Sequence, residues 1–327
     1  MSVADLPKVE LHLHLEGAMP PDFTRQLAHE KKMDLSGIFD AQGGYAYRDF
    51  WHFLQVYEAA TTVLQGPEDF HRLALAVLEE SAANGVVYTE TFISANFCGG
   101  YDPAAWGEHI AAIQEAAAQA EAKHGITLRG VVTAVRHEGI EMSRQTAALA
   151  QEAAGDFITG FGIAGDEKVH HPRDFSYAFD MAREAGLRLT AHAGEWGGAA
   201  SVRDALDHLR PERLGHGVEA IYDDALVDRL AEDEVVLEVC PGSNVFLGVF
   251  PSWEAHPIER LRARGVKVTV STDDPPFFRT TMRREYEMLA ETFGWDADQF
   301  RAMNQVALGA AFCDEDTRAR VAKRLET

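Results

Sequence analysis

The sequence predicts a closed parallel β/α barrel, the (β/α)8 or TIM-barrel class, on three observations. Eight short aliphatic or β-branched runs alternate with Ala-, Glu- and Leu-rich stretches of helical periodicity. Glycine recurs where those helical stretches stop, at Gly85, Gly125, Gly155, Gly186 and Gly265, the usual C-terminal signal. Four of the strand-like runs end in His or Asp just before a turn residue. In a barrel of this class such strand ends converge on one mouth.

The elements follow in order. The first run, Glu10-Leu11-His12-Leu13-His14, alternates apolar and polar residues. It reads as a strand near 8–14 that carries His12 and His14 on one face, because strand side chains alternate. Further strands are expected near 86–93, 127–134, 157–163, 187–192, 212–216, 235–240 and 267–272. Helices are expected over 67–83, 103–124, 141–154, 173–185, 201–209, 222–232 and 255–264; the first opens at Pro67 and repeats Leu73, Val77 and Leu78. About 70 residues separate the first two strands, among them the aromatic-rich Tyr45–Phe53. So long a connection predicts a helical lid within 15–85. Two or three extra helices follow the eighth strand through Leu325. No repeat or linker breaks the chain, so one domain over 1–327 is expected.

Composition narrows the function classes. The 30 basic and 52 acidic residues leave a formal net charge of −22. Phosphate binding needs a basic surface, so nucleic acid is excluded as a partner, and anionic membrane likewise. Three cysteines, Cys98, Cys240 and Cys313, form no disulfide framework. Met1–Pro7 lacks the basic and apolar regions of a signal peptide, and no run of 18 apolar residues exists. A cytoplasmic enzyme acting on a small molecule is the expectation.

The polar strand ends suit a metal. His12 and His14 end the first strand, His192 the fifth, His216 the sixth and Asp273 the eighth. Three imidazoles and a carboxylate match a borderline divalent ion such as zinc. Bound zinc lowers the pKa of water from about 15.7 to about 7, worth on the order of 12 kcal/mol. A hydrolytic reaction is therefore expected. Spacing makes His12 and His14 the firmest ligands but does not rank His192 against His216. Glu195, just past Gly194, is placed for a general acid, which requires a pKa raised by burial. Asp273 and Asp274 precede Pro275-Pro276, a run that also serves as an ordinary helix start. Gly165 lets backbone approach a ligand. Lys168 lies beyond the fourth strand, after Asp166-Glu167, where it does not suit the bridging lysine of binuclear barrel hydrolases. A mononuclear site is expected.

Five segments together carry a family resemblance. They are Pro7–His14, Ala164-Gly165-Asp166-Glu167, His192-Ala193-Gly194-Glu195, Leu214-Gly215-His216-Gly217 and Thr272-Asp273-Asp274-Pro275. In this order the set resembles the adenosine deaminase family over nearly the whole chain. The resemblance implies one Zn2+ per chain, held by His12, His14, His192 and Asp273, with His14 also facing the substrate. It implies that Glu195 protonates purine N1 and that His216 orients the attacking hydroxide and acts as base. Asp274 would bond N7 and the Gly165 amide N3. The His/Cys/Cys deaminases differ, since their Pro-Cys-x-x-Cys motif is absent.

The substrate expected from this resemblance is adenosine or deoxyadenosine, giving inosine or deoxyinosine and ammonia in purine salvage. Glu16 departs from it. Nucleoside deaminases usually carry Asp there, contacting the ribose 5′ hydroxyl, whereas Glu is common in free-adenine deaminases, and Ser243–Val249 leans the same way. Gly165-Asp166-Glu167 and Gly215-His216-Gly217 lean toward the nucleoside. Free adenine ranks second and an N6- or 5′-modified adenosine third. Another mononuclear amidohydrolase, acting on a cyclic amide or ester, is the further alternative.

Overall fold

The computed structural model describes residues 2–326. Eight parallel strands run in chain order: β1 (Lys8–His14), β2 (Val86–Ser94), β3 (Thr127–Val135), β4 (Ile158–Ala164), β5 (Arg188–Ala193), β6 (Arg213–His216), β7 (Val236–Val239) and β8 (Lys267–Val270). Helices connect them, as a (β/α)8 barrel requires. The last seam closes just above β8. The His14 amide donates to the Asp273 carbonyl at 3.0 Å, and the Asp273 amide to the His12 carbonyl at 3.1 Å. This pairing puts the first and last expected ligands side by side.

The elements match the expected order with local differences. The seventh and eighth strands are shorter than 235–240 and 267–272. Pro241 opens a short helix, Pro241–Phe246, directly after Cys240, and proline has no amide to extend a ladder. Beyond β8 the chain turns at Asp273, whose φ is +69°. The helix expected over 255–264 shrinks to Ile258–Ala263 behind Pro257. The stretch 222–232 starts as a 3-10 turn, Val218–Tyr222, and restarts as Asp224–Glu232, where the Asp223 carboxylate caps the Leu226 amide at 3.1 Å.

Three helices occupy the long first connection: Pro21–Glu30, Phe50–Thr61 and Pro67–Ala83. Tyr45 stacks on Phe277 with ring centroids 4.0 Å apart, and Phe53 meets Phe277 and Phe278 at 5.4 and 5.3 Å. The segment thus rests on the short helix Pro275–Phe278 that follows β8. At the C-terminus the helix Ala297–Ala310 presents Asn304, which accepts the Val9 amide and donates to the Pro7 carbonyl, both at 3.0 Å. Among the described residues no helix is long and apolar enough to cross a membrane.

The barrel holds a buried ion network. Arg213 of β6 reaches Glu90 of β2 at 2.5 Å and Glu238 of β7 at 2.6 Å. Its guanidinium lies over the Phe312 ring, 3.4 Å from the centroid. One cation between two carboxylates, with a ring face below, compensates charges that would be costly to bury alone.

Candidate active site

Four groups at the strand ends converge. His14 Nε2 lies 3.2 Å from His192 Nε2 and 3.3 Å from Asp273 Oδ1, and His12 Nε2 lies 3.4 Å from the same oxygen. His12 donates its Nδ1 proton to Glu238 at 2.8 Å, so its Nε2 faces the centre and can offer a lone pair to a cation that takes the place of the ring's second proton. That buried Nε2 has no hydrogen-bond partner among the described residues. Gly215 makes the room, because a Cβ there would sit 2.7 Å from the His12 ring and 3.2 Å from His192 Nδ1.

The electrostatics fit a cation. Burial opposes charge on His12, but the Asp273 and Glu238 carboxylates outweigh it and raise its pKa to about 9. Burial lowers His14, and burial plus the neighbouring histidines take His192 well below its usual value. Burial alone would raise Asp273, yet the close His12 and His14 rings, with His216 beyond them, hold it well below the carboxylate range. Nitrogen lone pairs and an ionised carboxylate around a centre that favours positive charge are the donor set of a divalent transition metal. Ser243 steadies the carboxylate by donating to Asp273 Oδ2 at 2.7 Å.

Glu195 sits beside this centre. Its backbone is clamped by Glu167, whose carboxylate accepts the amides of Gly194, Glu195 and Trp196 at 2.8, 2.7 and 3.0 Å and the Ser201 hydroxyl at 2.5 Å. Burial and the Asp273, Glu167 and Glu219 carboxylates hold the Glu195 carboxyl well above its usual pKa. These surroundings favour the protonated form that a general acid requires. His216 Nε2 lies 3.7 Å from Glu195 Oε2, and burial pushes His216 down to about 4. His216 and Asp273 both have positive φ, +60° and +69°, a conformation that non-glycine residues rarely hold.

Asp274 caps the short helix Pro275–Phe278 by position, but its side chain makes no capping bond and its Oδ1 has no partner among the described residues. Burial and the nearby Asp273, Glu195 and Glu16 carboxyls raise its pKa well above the ordinary range, which favours the protonated form. Gly17 accommodates it, since a Cβ there would lie 1.6 Å from Asp274 Oδ1. Gly165, at φ +91°, faces His137, which a Cβ would crowd at 2.9 Å.

These groups line a cavity of about 840 Å³, partly open to solvent, within the range of small-molecule sites. His14, Gly165, His192, Glu195, His216, Asp273 and Asp274 all reach it. His12 lies beneath, fully buried. Phe50, Phe53, Leu54, Tyr57 and Glu58, from the helix Phe50–Thr61, form one wall. Glu16 is buried and absent from the lining; its Oε1 accepts the Ser94 amide at 3.4 Å, and burial raises it to about 7. Lys168 does not reach the cavity.

Several supporting residues escaped the sequence reading: Glu238 behind His12, Glu167 under Glu195, Ser243 behind Asp273, and Asn244, which contacts His216 Nδ1 at 3.3 Å. Glu238 had a readable signal, a lone charge inside the apolar run Val235-Val236-Leu237-Glu238-Val239. Ser243 and Asn244 lie on the short helix Pro241–Phe246 and Glu167 in the turn after β4, where local pattern does not announce these contacts.

Comparison with known proteins supplies the family. The family described as adenosine deaminase matches residues 7–327. An adenine deaminase of Chelativorans sp. (strain BNC1) is 47% identical over 323 residues, covering 98% of each chain. An adenine deaminase of Rhizobium leguminosarum bv. trifolii is 46% identical, covering 98% of this chain and 99% of its own. A crystal structure of adenine deaminase from Arthrobacter aurescens superimposes with a TM-score of 0.88 at 28% identity, covering 98% of both chains. An amidohydrolase from Burkholderia ambifaria, solved with bound Zn, gives a TM-score of 0.85 at 26% identity over 99% of this chain and 90% of its own. The chain belongs to the adenosine deaminase family and is a (β/α)8 hydrolytic deaminase acting on C–N bonds.

Proposed function

We propose that this enzyme deaminates free adenine to hypoxanthine with release of ammonia, using one zinc ion per chain. The full-length agreement with chains named adenine deaminase, at 47% and 46% identity, carries the choice of base. Of the sequence signals, Glu16 and Ser243–Val249 point the same way. Adenosine, ranked first from Gly165–Glu167 and Gly215–Gly217, becomes the second reading.

His12, His14, His192 and Asp273 would hold the zinc, which when bound lowers the pKa of a water and makes it nucleophilic. Glu195, protonated through its buried and acidic surroundings, gives that proton to ring N1 as the water oxygen bonds to C6. The proton shed by the water restores Glu195. The second water proton leaves with the amino group as ammonia, and the ring becomes the 6-oxo form with hydrogen on N1. Asp274 donates to N7, the Gly165 amide to N3, and His216 orients the attacking water. Residues 15–85 act as a cover that keeps bulk water from the cavity, and 1–327 works as one cytoplasmic domain on a small purine.

Zinc-loaded protein assayed on adenine, adenosine and deoxyadenosine decides the substrate. We expect kcat/KM for adenine at least about 100-fold above either nucleoside, the discrimination a shaped polar pocket supplies. Equal or faster turnover of adenosine would restore the nucleoside reading.

A further inference from the structure

A chain of buried hydrogen bonds runs from a backbone amide to the edge of the active site. The Ile258 amide donates to His256 Nδ1 at 3.2 Å. His256 Nε2 meets Asn244 Oδ1 at 3.2 Å, and Asn244 Nδ2 meets His216 Nδ1 at 3.3 Å. Asn244 is fully buried, and His256 and His216 are each about 1% exposed.

The direction of every bond follows from the first. A backbone N–H can only donate, so His256 Nδ1 is an acceptor and its ring proton sits on Nε2. His256 then donates to the side-chain oxygen of Asn244, which turns the amide NH2 toward His216. The NH2 donates to His216 Nδ1, so the proton of the neutral His216 ring sits on Nε2, the nitrogen 3.7 Å from Glu195 Oε2.

We infer that Asn244 and His256 are positioning residues that fix His216 as an Nε2–H donor. Two consequences follow. First, His216 offers no lone pair to the cation, which ranks His192 above it as the third imidazole ligand. Second, His216 orients the attacking water by donating a hydrogen bond and does not take the water's proton at Nε2. Taking a proton at Nδ1 would set two donors, Asn244 Nδ2–H and His216 Nδ1–H, against each other in a buried site, which is costly. The base role that the family resemblance implied for His216 therefore gives way to a donor role. This deepens the proposed reaction and rests on that reading of the site.

The test is the 15N NMR spectrum of the zinc-loaded enzyme labelled at histidine, with His216 assigned by comparison with His216→Gln. We expect Nε2 protonated and Nδ1 unprotonated, without substrate present. Asn244→Asp replaces the donor with an acceptor and should move the His216 proton to Nδ1. It should also lower kcat about 100-fold, the size of one oriented donor, with KM changed less than about threefold, measured on the 6-aminopurine turned over fastest. A wild-type His216 protonated at Nδ1 overturns the inference, as does Asn244→Asp with kcat within about threefold of wild type. The wild-type spectrum decides even if that variant fails to fold. If the tautomer is as stated but adenine is not a substrate, only the choice of substrate falls.

Discussion

Replacing Glu238 with glutamine probes the support beneath the cation centre. Glu238 Oε2 accepts the His12 Nδ1 proton at 2.8 Å, while Oε1 accepts Thr190 Oγ1 at 2.8 Å and Arg213 Nε at 2.6 Å. Glutamine keeps one oxygen and gains an NH2. Arg213 has no acceptor atom, so the amide oxygen must stay on its side and the NH2 must face His12 Nδ1. His12 then accepts at Nδ1, and its proton moves to Nε2, 3.4 Å from Asp273 Oδ1. The variant loses a ligand lone pair and places an N–H inside the centre. Loss of an outer hydrogen-bond partner alone costs 10–100-fold in metal affinity, and with the lone pair turned away we expect at least about 100-fold, or about 2.7 kcal/mol. The assay is competition for zinc between the apo-protein and a chromophoric chelator, with near-ultraviolet circular dichroism as the fold check. A folded Glu238→Gln protein that holds zinc within about threefold of wild type would refute the coupling of Glu238 to the His12 tautomer.

Three further outcomes are expected. Glu195→Gln should retain zinc by elemental analysis yet lose about 10² to 10⁴ in kcat, because the amide has no acidic proton to give; retention of most of the rate would remove Glu195 as the acid. Arg213→Met should cost on the order of 3–5 kcal/mol in chemical denaturation, since Glu90 and Glu238 stay buried without their shared cation. A loss below about 1 kcal/mol would mean that those carboxylates find other compensation. Glu285 is buried and its pKa is raised from 4.5 to about 8, so between these values the folded state holds a proton that the unfolded state has lost. Stability should therefore fall with rising pH across that window, by up to about 1.4 kcal/mol per unit from this group. Glu285→Gln can still accept the Gly242 amide, and its NH2 can donate to the Thr280 hydroxyl that now donates to Glu285, so its melting temperature should gain on wild type from pH 5 to pH 8. Parallel curves would refute the linkage.

Local periodicity carries the barrel and its order of elements, because strand alternation, helix faces and glycine stops are written within a few residues. The ligand candidates were legible for the same reason: each ends a short apolar run, and a barrel of this class collects such ends at one mouth. Element bounds near Pro241, Asp273 and Pro257 were not, because backbone turns confined two strands and one helix more tightly than hydrophobicity alone indicates. The ranking of His192 against His216 was equally hidden. Both end strands with the same local pattern, and only Asn244 and His256, 28 and 40 positions beyond His216 in the chain, orient one ring as a donor. Glu238 likewise acts on His12 across 226 positions. The sequence by itself determined which side chains gather; tertiary structure decided which way each proton points, because a hydrogen bond takes its direction from a partner that folding brings close.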